Sequence, residues 1–145
     1  MAKPPAPAPH DALVDAIVPL AFAPLAVLPP LAAENDVSLT QLRVLGILRD
    51  RRLGVSALAG YLGLEKSTMS GLLDRAERRG LVVRAANADD ARGVDVTLSR
   101  AGAALVDRQY ARIRAALAPL THRLAAADQR HVQRLLEQML HRGDG

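Results

Sequence analysis

The stretch SALAGYLGLEKSTMSGLLDRAERRG, Ser56 to Gly80, decides the fold. Gly63 divides it into a short segment and a longer one, and glycine commonly ends a helix in the left-handed region. In the longer segment Met69, Leu72, Leu73 and Ala76 recur at i, i+3, i+4 and i+7, so four apolar side chains share one helix face. Ser67, Thr68, Ser70, Gly71, Asp74 and Arg75 fall largely outside that face. Ser56 is placed to cap the first helix, and Gly80 to close the second. Two short helices joined by a tight turn, the second polar at its N-terminal end, form a helix-turn-helix.

Downstream, LVVRA (Leu81 to Ala85) and VDVTL (Val94 to Leu98) flank the loop NADDARG, Asn87 to Gly93. Val94, Val96 and Leu98 alternate with Asp95 and Thr97, the period of a strand with one buried face. A helix-turn-helix followed by a hairpin is a winged helix. Ser99 then caps a long helix whose seam is Val106, Tyr110, Ile113 and Leu117, with a kink expected at Pro119. A last helix over roughly Ala127 to Arg142 carries Val132, Leu135, Leu136, Met139 and Leu140.

Upstream, SLTQ (Ser38 to Gln41) is a capping box. The helix it opens, LTQLRVLGILRD, is apolar on nearly all sides and belongs at the centre of a domain. Gly54 and Val55 leave room for a short extended step.

The N-terminal region differs in kind. MAKPPAPAPH is too rich in proline to fold alone. Ala16 to Ala33 holds no charge and has the length of a weak membrane-span candidate, while Ala21, Phe22 and Ala23 resemble a signal-cleavage site. Pro19, Pro24, Pro29 and Pro30 interrupt the run, Lys3 is its only positive flank, and each interior proline costs a helix about 3 kcal/mol. These features favour a kinked apolar arm buried against another chain, with no membrane partner. The chain therefore divides into a disordered tail (1–10), an apolar, proline-kinked dimerisation arm (11–37), a winged helix-turn-helix (38–100) and C-terminal dimerisation helices (101–145). The fold class is mainly α with a small β-wing.

Composition narrows the functions. The chain has 145 residues, enough for one domain, and its 50% hydrophobic content can build a core. Cysteine is absent, which excludes disulfide scaffolds and thiolate metal sites and suits a reducing cytoplasm. Aromatic residues make up 2%, too few for the stacking platforms of single-strand binders. The net charge of +4 is unevenly placed: −3 over 1–37, +4 over 38–100 and +3 over 101–145, which suits a polyanion partner. Gly60 with Glu65, Lys66 and Ser67 nearly spells a phosphate-binding loop, but Glu65 would face the phosphate and the segment is not strand-loop-helix. His122, His131 and His141 stand nine and ten residues apart on helices, a spacing that defines no metal site. Neither a catalytic grouping nor a cofactor motif is evident, so the chain reads as no enzyme.

In order and wording, SLTQLRVL, SALAGYLGLEKSTMSGLLDRAERRGLVVR and DDARGVDVTLSRAG, spanning about Ser38 to Gly102, resemble the MarR family of bacterial transcription regulators. The resemblance implies a homodimer, paired through its end segments, that presents two winged helices to a pseudo-palindromic site on double-stranded DNA. It also implies an Asp-x-Arg wing, matched by Asp90 and Arg92. On this reading Asp90 orients the Arg92 guanidinium, which enters the minor groove or meets the backbone. In the recognition helix Ser67, Thr68 and Ser70 donate to phosphates or base edges, and Lys66 and Arg75 supply charge, Arg75 being suited to guanine. Gly71 departs from the family, whose members often carry a larger, frequently basic residue there. The implied function is repression relieved by a small molecule lodged between the dimerisation region and the winged helix. The alternative is a winged-helix interaction module that has lost DNA reading.

Overall fold

The computed structural model describes residues 8–87, 89–90 and 92–140. Residues 1–7 of the expected tail, and His141 and Arg142, lie outside the described residues. The elements are α1 (Pro9–Glu34), α2 (Leu39–Ile47), β1 (Leu53–Gly54), α3 (Val55–Leu62), α4 (Lys66–Arg78), β2 (Val82–Ala86), β3 (Val94–Leu98), α5 (Arg100–Thr121) and α6 (Ala126–Leu140). The chain is mainly helical with one small antiparallel sheet in the order β1-β3-β2, which is a winged helix.

The N-terminal arm corrects the sequence pattern in two ways. Helix begins at Pro9, so Pro9 and His10 belong to α1 rather than to a tail ending at residue 10. Proline at the start of a helix loses nothing, because its missing N–H would have no partner there. The arm expected to break at its prolines is a single helix, with Pro19, Pro24, Pro29 and Pro30 inside it. Local propensity charges every proline in full but takes no account of packing. The C-terminal third of α1 packs on α5 and α2 and buries Leu31 and Ala32.

Caps set most boundaries. In the Ser38 box the hydroxyl accepts from the Gln41 N–H at 3.0 Å, and the Ser38 N–H donates to Gln41 Oε1 at 2.9 Å. Three helices end on a left-handed residue: Asp36 (φ 53°) after α1, Gly63 (φ 65°) after α3 and Gly80 (φ 68°) after α4. After α4, the Leu81 N–H donates to the Ala76 carbonyl at 2.9 Å and the Gly80 N–H to Glu77 at 2.8 Å, satisfying carbonyls that a helix end otherwise leaves open. Ser56 does not cap α3. The helix starts two residues earlier, with Gly54, the extended end of β1, as its N-cap. The helix on SLTQ stops at Ile47, so Leu48 to Asp50 serve as a connection.

The core lies where α2, α3, α4, β3 and α5 meet. Leu45, Leu58, Met69, Leu73, Val96 and Val106 are each at most 1% exposed. β3 departs from simple alternation, since Asp95 is buried beside Val96. The Asn87 side-chain amide donates to Asp95 Oδ1 at 3.0 Å, giving the carboxylate the partner that burial requires. By contrast, α6 buries no residue within its own chain.

The winged helix joins α5 through a close backbone contact. The Ser99 N–H donates to the Leu81 carbonyl at 3.0 Å, and Ser99 Oγ accepts from Gly102 at 3.0 Å as the N-cap of α5. A Cβ on Gly102 would stand 1.9 Å from the Leu81 carbonyl oxygen. At the far end, Arg112 of α5 donates to both carboxylate oxygens of Glu34. That hydrogen bonding holds the Glu34 carboxyl below its usual pKa, so the contact is present above the ordinary carboxylate range and is lost only as pH falls through the lowered value.

Two glycines should therefore respond oppositely to alanine. Gly102→Ala must move backbone and should lower urea-denaturation stability by about 1–3 kcal/mol or more. Gly60→Ala, in a helix with nothing within 4 Å of the new methyl, should gain up to about 1 kcal/mol. Equal effects from the two would contradict the close contact at Leu81.

Candidate nucleic-acid interface and adjoining cavity

Helix α4 buries Met69, Leu72, Leu73 and Ala76, and this fixes which side faces out. Lys66, Ser67, Thr68 and Arg75 are exposed, and Ser70 and Gly71 are half-buried. Among the described residues none of the five expected reading side chains, Lys66, Ser67, Thr68, Ser70 and Arg75, donates to a protein group. Their hydrogen-bonding capacity is open to a partner. A Cβ on Gly71 would lie 3.7 Å from Arg75 Nη1, so the Arg75 side chain folds back along the helix over the glycine.

The acids on the same helix are engaged elsewhere. Arg84 of β2 donates to Asp74 Oδ1 at 2.7 Å and Glu77 Oε2 at 3.1 Å. One guanidinium thus ties the wing strand to the recognition helix and offsets the two carboxylates that would repel a polyanion. The sequence pattern gave Arg84 no role, because its partners lie on another element.

The wing is organised by Asn87, also missed from sequence. Its Oδ1 accepts from the N–H groups of Asp89 at 2.7 Å and Asp90 at 3.0 Å, while its Nδ2 reaches Asp95. Its backbone N–H donates to the Gly93 carbonyl at 2.9 Å, closing the loop. Such side-chain to backbone bonds are how Asn and Asp shape turns, and a loop beginning Asn-x-Asp-Asp was the available signal.

Asp90 acts differently from the expected role. Its carboxylate accepts from the Arg92 backbone N–H at 3.0 Å, and no ion pair between Asp90 and the Arg92 guanidinium occurs among the described residues. Asp90 therefore shapes the chain that carries Arg92. The turn uses the acid as an acceptor.

His122 and His131 stay apart from this surface. The His122 N–H caps α5, the His131 ring lies 3.2 Å from Arg134 Nη2, and His141 is outside the described residues.

Behind the winged helix lies a cavity of about 420 Å³ between α2 and α5, bordered by Leu28 of α1 and Tyr61 of α3. Val106 and Ile113 supply apolar wall, and Arg43 and Arg51 supply charge. Gln109 is 3% exposed, and its side-chain oxygen is buried with no hydrogen-bond partner among the described residues. A second, apolar groove of about 530 Å³ separates α1 from α6, between Leu13, Ile17 and Leu20 on one side and Val132, Leu135 and Met139 on the other.

Residues 35–93 match the family model described as MarR family. The homoprotocatechuate degradative operon repressor of Escherichia coli is 26% identical over 93% of this chain and 92% of its own length. The crystal structure of NadR in complex with 4-hydroxyphenylacetate shares the fold, with a TM-score of 0.78 at 20% identity, over 96% of this chain and 99% of that one. A variant of MepR from S. aureus bound to an oligodeoxyribonucleotide gives a TM-score of 0.61 at 22% identity, over 92% and 97%.

The two roles for Asp90 are separable by substitution. Asp90→Asn keeps an acceptor for the Arg92 N–H and should hold DNA affinity within about threefold. Asp90→Ala removes the acceptor and should cost roughly 2–12-fold, the worth of one hydrogen bond. Equal losses in anisotropy titrations would restore a role for the charge.

Proposed function

We propose that the chain is a MarR-family regulator, a homodimeric repressor that reads a pseudo-palindromic DNA site and is released by a small aromatic acid. The observation that carries the DNA reading is the outer face of α4. Among the described residues Lys66, Ser67, Thr68 and Arg75 have no protein partner there, while Arg84 holds the acids of the same helix. Base edges are read by Arg75 with the serine and threonine hydroxyls, and Lys66 and Arg92 meet phosphates.

Dimerisation follows from the uncovered apolar surface. Leu13, Val18, Leu20 and Phe22 on α1, and Leu135, Leu136 and Met139 on α6, are exposed in the single chain. Exposed apolar surface of that extent suits an interface. α1 is long and apolar enough to cross a membrane, but the α1–α6 groove has the shape and apolar lining to take a helix of a second copy. In such a dimer the two recognition helices would need to lie about 34 Å apart to meet successive major grooves. A DNA partner assigns the protein to the cytoplasm.

The cavity beside α5 suits the effector. Its apolar walls accept a ring, the Gln109 oxygen has no donor among the described residues and a ring hydroxyl would supply one, and Arg43 and Arg51 offer sites for a carboxylate. The ligand of NadR has that combination of groups. Occupancy would favour a different separation of the recognition helices, and a coupling of about 1–3 kcal/mol is enough to release an operator.

The decisive experiment is anisotropy titration of an operator enriched from random duplex DNA, near 150 mM salt, against a scrambled duplex. Wild type should bind selectively, with affinity falling steeply as salt rises, and Arg92→Ala should weaken it. Equal, weak binding to both duplexes would favour the interaction-module alternative. Adding 4-hydroxyphenylacetate as probe should release wild type from the operator. Gln109→Leu should retain DNA binding and lose the response; a full response in this variant would remove Gln109 from the effector site.

A further inference from the structure

The C-terminal end of α1 is gripped from two sides by arginines of different elements. Arg112 of α5 holds Glu34. Arg79, the C-cap of the recognition helix, donates through Nη2 to the Asn35 carbonyl at 2.8 Å and through Nη1 to the Asp36 carbonyl. Three successive residues, Glu34, Asn35 and Asp36, are thus shared between a helix of the dimer half and the helix that faces DNA.

The chemistry of this junction favours a cation. A helix C-terminus carries open carbonyls and partial negative charge, and α1 has no basic residue in its last turn to meet them. The left-handed Asp36 turns the chain sharply there. A guanidinium is planar and can donate to two adjacent carbonyls at once, which an ammonium does less well. Otherwise α4 packs on α3 and β2, whereas α1 packs on α5 and α2. Among the described residues the Arg79 bonds are the only hydrogen bonds that join α4 to the dimer-side helices.

We propose that Arg79 is a positioning residue for DNA reading: it latches the C-terminus of the recognition helix to the end of α1 and so fixes the separation of the two recognition helices in the dimer. The latch also gives the cavity a mechanical route to α4, because Leu28 of α1 borders it. A ligand that displaces the end of α1 shifts the carbonyls that Arg79 holds. The proposal rests on the dimeric DNA-binding reading, and its test separates the two.

The chain has no native cysteine, so Ser70→Cys carries a single nitroxide on each recognition helix. Pulsed electron paramagnetic resonance on the full-length protein without DNA should give one narrow intermolecular distance distribution. Adding Arg79→Ala should broaden or shift it, and Arg79→Lys should fall between. In a second arm, wild type should prefer one half-site spacing of the enriched operator over spacings one base pair longer or shorter by at least about tenfold, and Arg79→Ala should reduce that preference to about threefold or less. An unchanged distance distribution and unchanged spacing preference in Arg79→Ala would overturn the latch while leaving the regulator reading intact. No intermolecular distance in the parent protein, or no enriched operator, would overturn that reading and the latch with it. A lowered melting temperature accompanied by wild-type spacing preference would show that Arg79 only stabilises the fold.

Discussion

The backbone at Gly80 and Leu81 is the point on which the rest of the structure depends. The recognition helix ends there, through the Leu81 N–H bonded to Ala76. The wing starts one residue later at Val82. The long helix α5 is seated on the same peptide, since the Leu81 carbonyl accepts from Ser99 and lies against Gly102. A left-handed glycine and a glycine without room for a side chain therefore set the relation of recognition helix, wing and dimer helix in one place. A segment between two closed backbone contacts has little freedom to bend, which suits a part that must deliver α4 and the wing to one DNA site together.

Sequence revealed the features that repeat with a period or sit at a cap. The stripe of Met69, Leu72, Leu73 and Ala76 is legible because burial on a helix follows its 3.6-residue turn. The Ser38 box, Ser99, Gly63 and Gly80 are legible because capping chemistry is local. What escaped depends on partners far along the chain. Arg84 acquires meaning only once β2 lies beside α4. The buried Asp95 looks like the outward residue of an alternating strand until Asn87 is folded over it. Asp90 and Arg92 are adjacent enough to suggest an ion pair, yet the nearer acceptor–donor match is with the backbone N–H. The N-terminal arm escaped for the opposite reason: local proline costs were legible, and the packing of its C-terminal end on α5 and α2 was not.

The two halves of the molecule are completed by different means. The winged helix carries its own core, with six side chains from five elements almost wholly buried. The arm and α6 do not. A 15-residue amphipathic helix that buries none of its residues gains little from tertiary packing, and isolated helices of about 12–15 residues are marginal in water. Its apolar stripe becomes favourable only when another surface covers it. Folding of the end helices and assembly of the proposed dimer are then one event, whereas the DNA-facing half keeps its shape throughout.

That division explains why regulation would act at the seam rather than within the reading surface. The core beneath α4 is close-packed, and a ligand cannot enter it without displacing buried side chains at a cost of several kcal/mol. The cavity lies instead between α2 and α5, where one buried amide oxygen has no partner among the described residues and where α1 forms part of the wall. In the proposed mechanism a ligand releases DNA only by binding one setting of α1 better than the other, and the end of α1, held between Arg112 and Arg79, would be where that difference reaches the recognition helix.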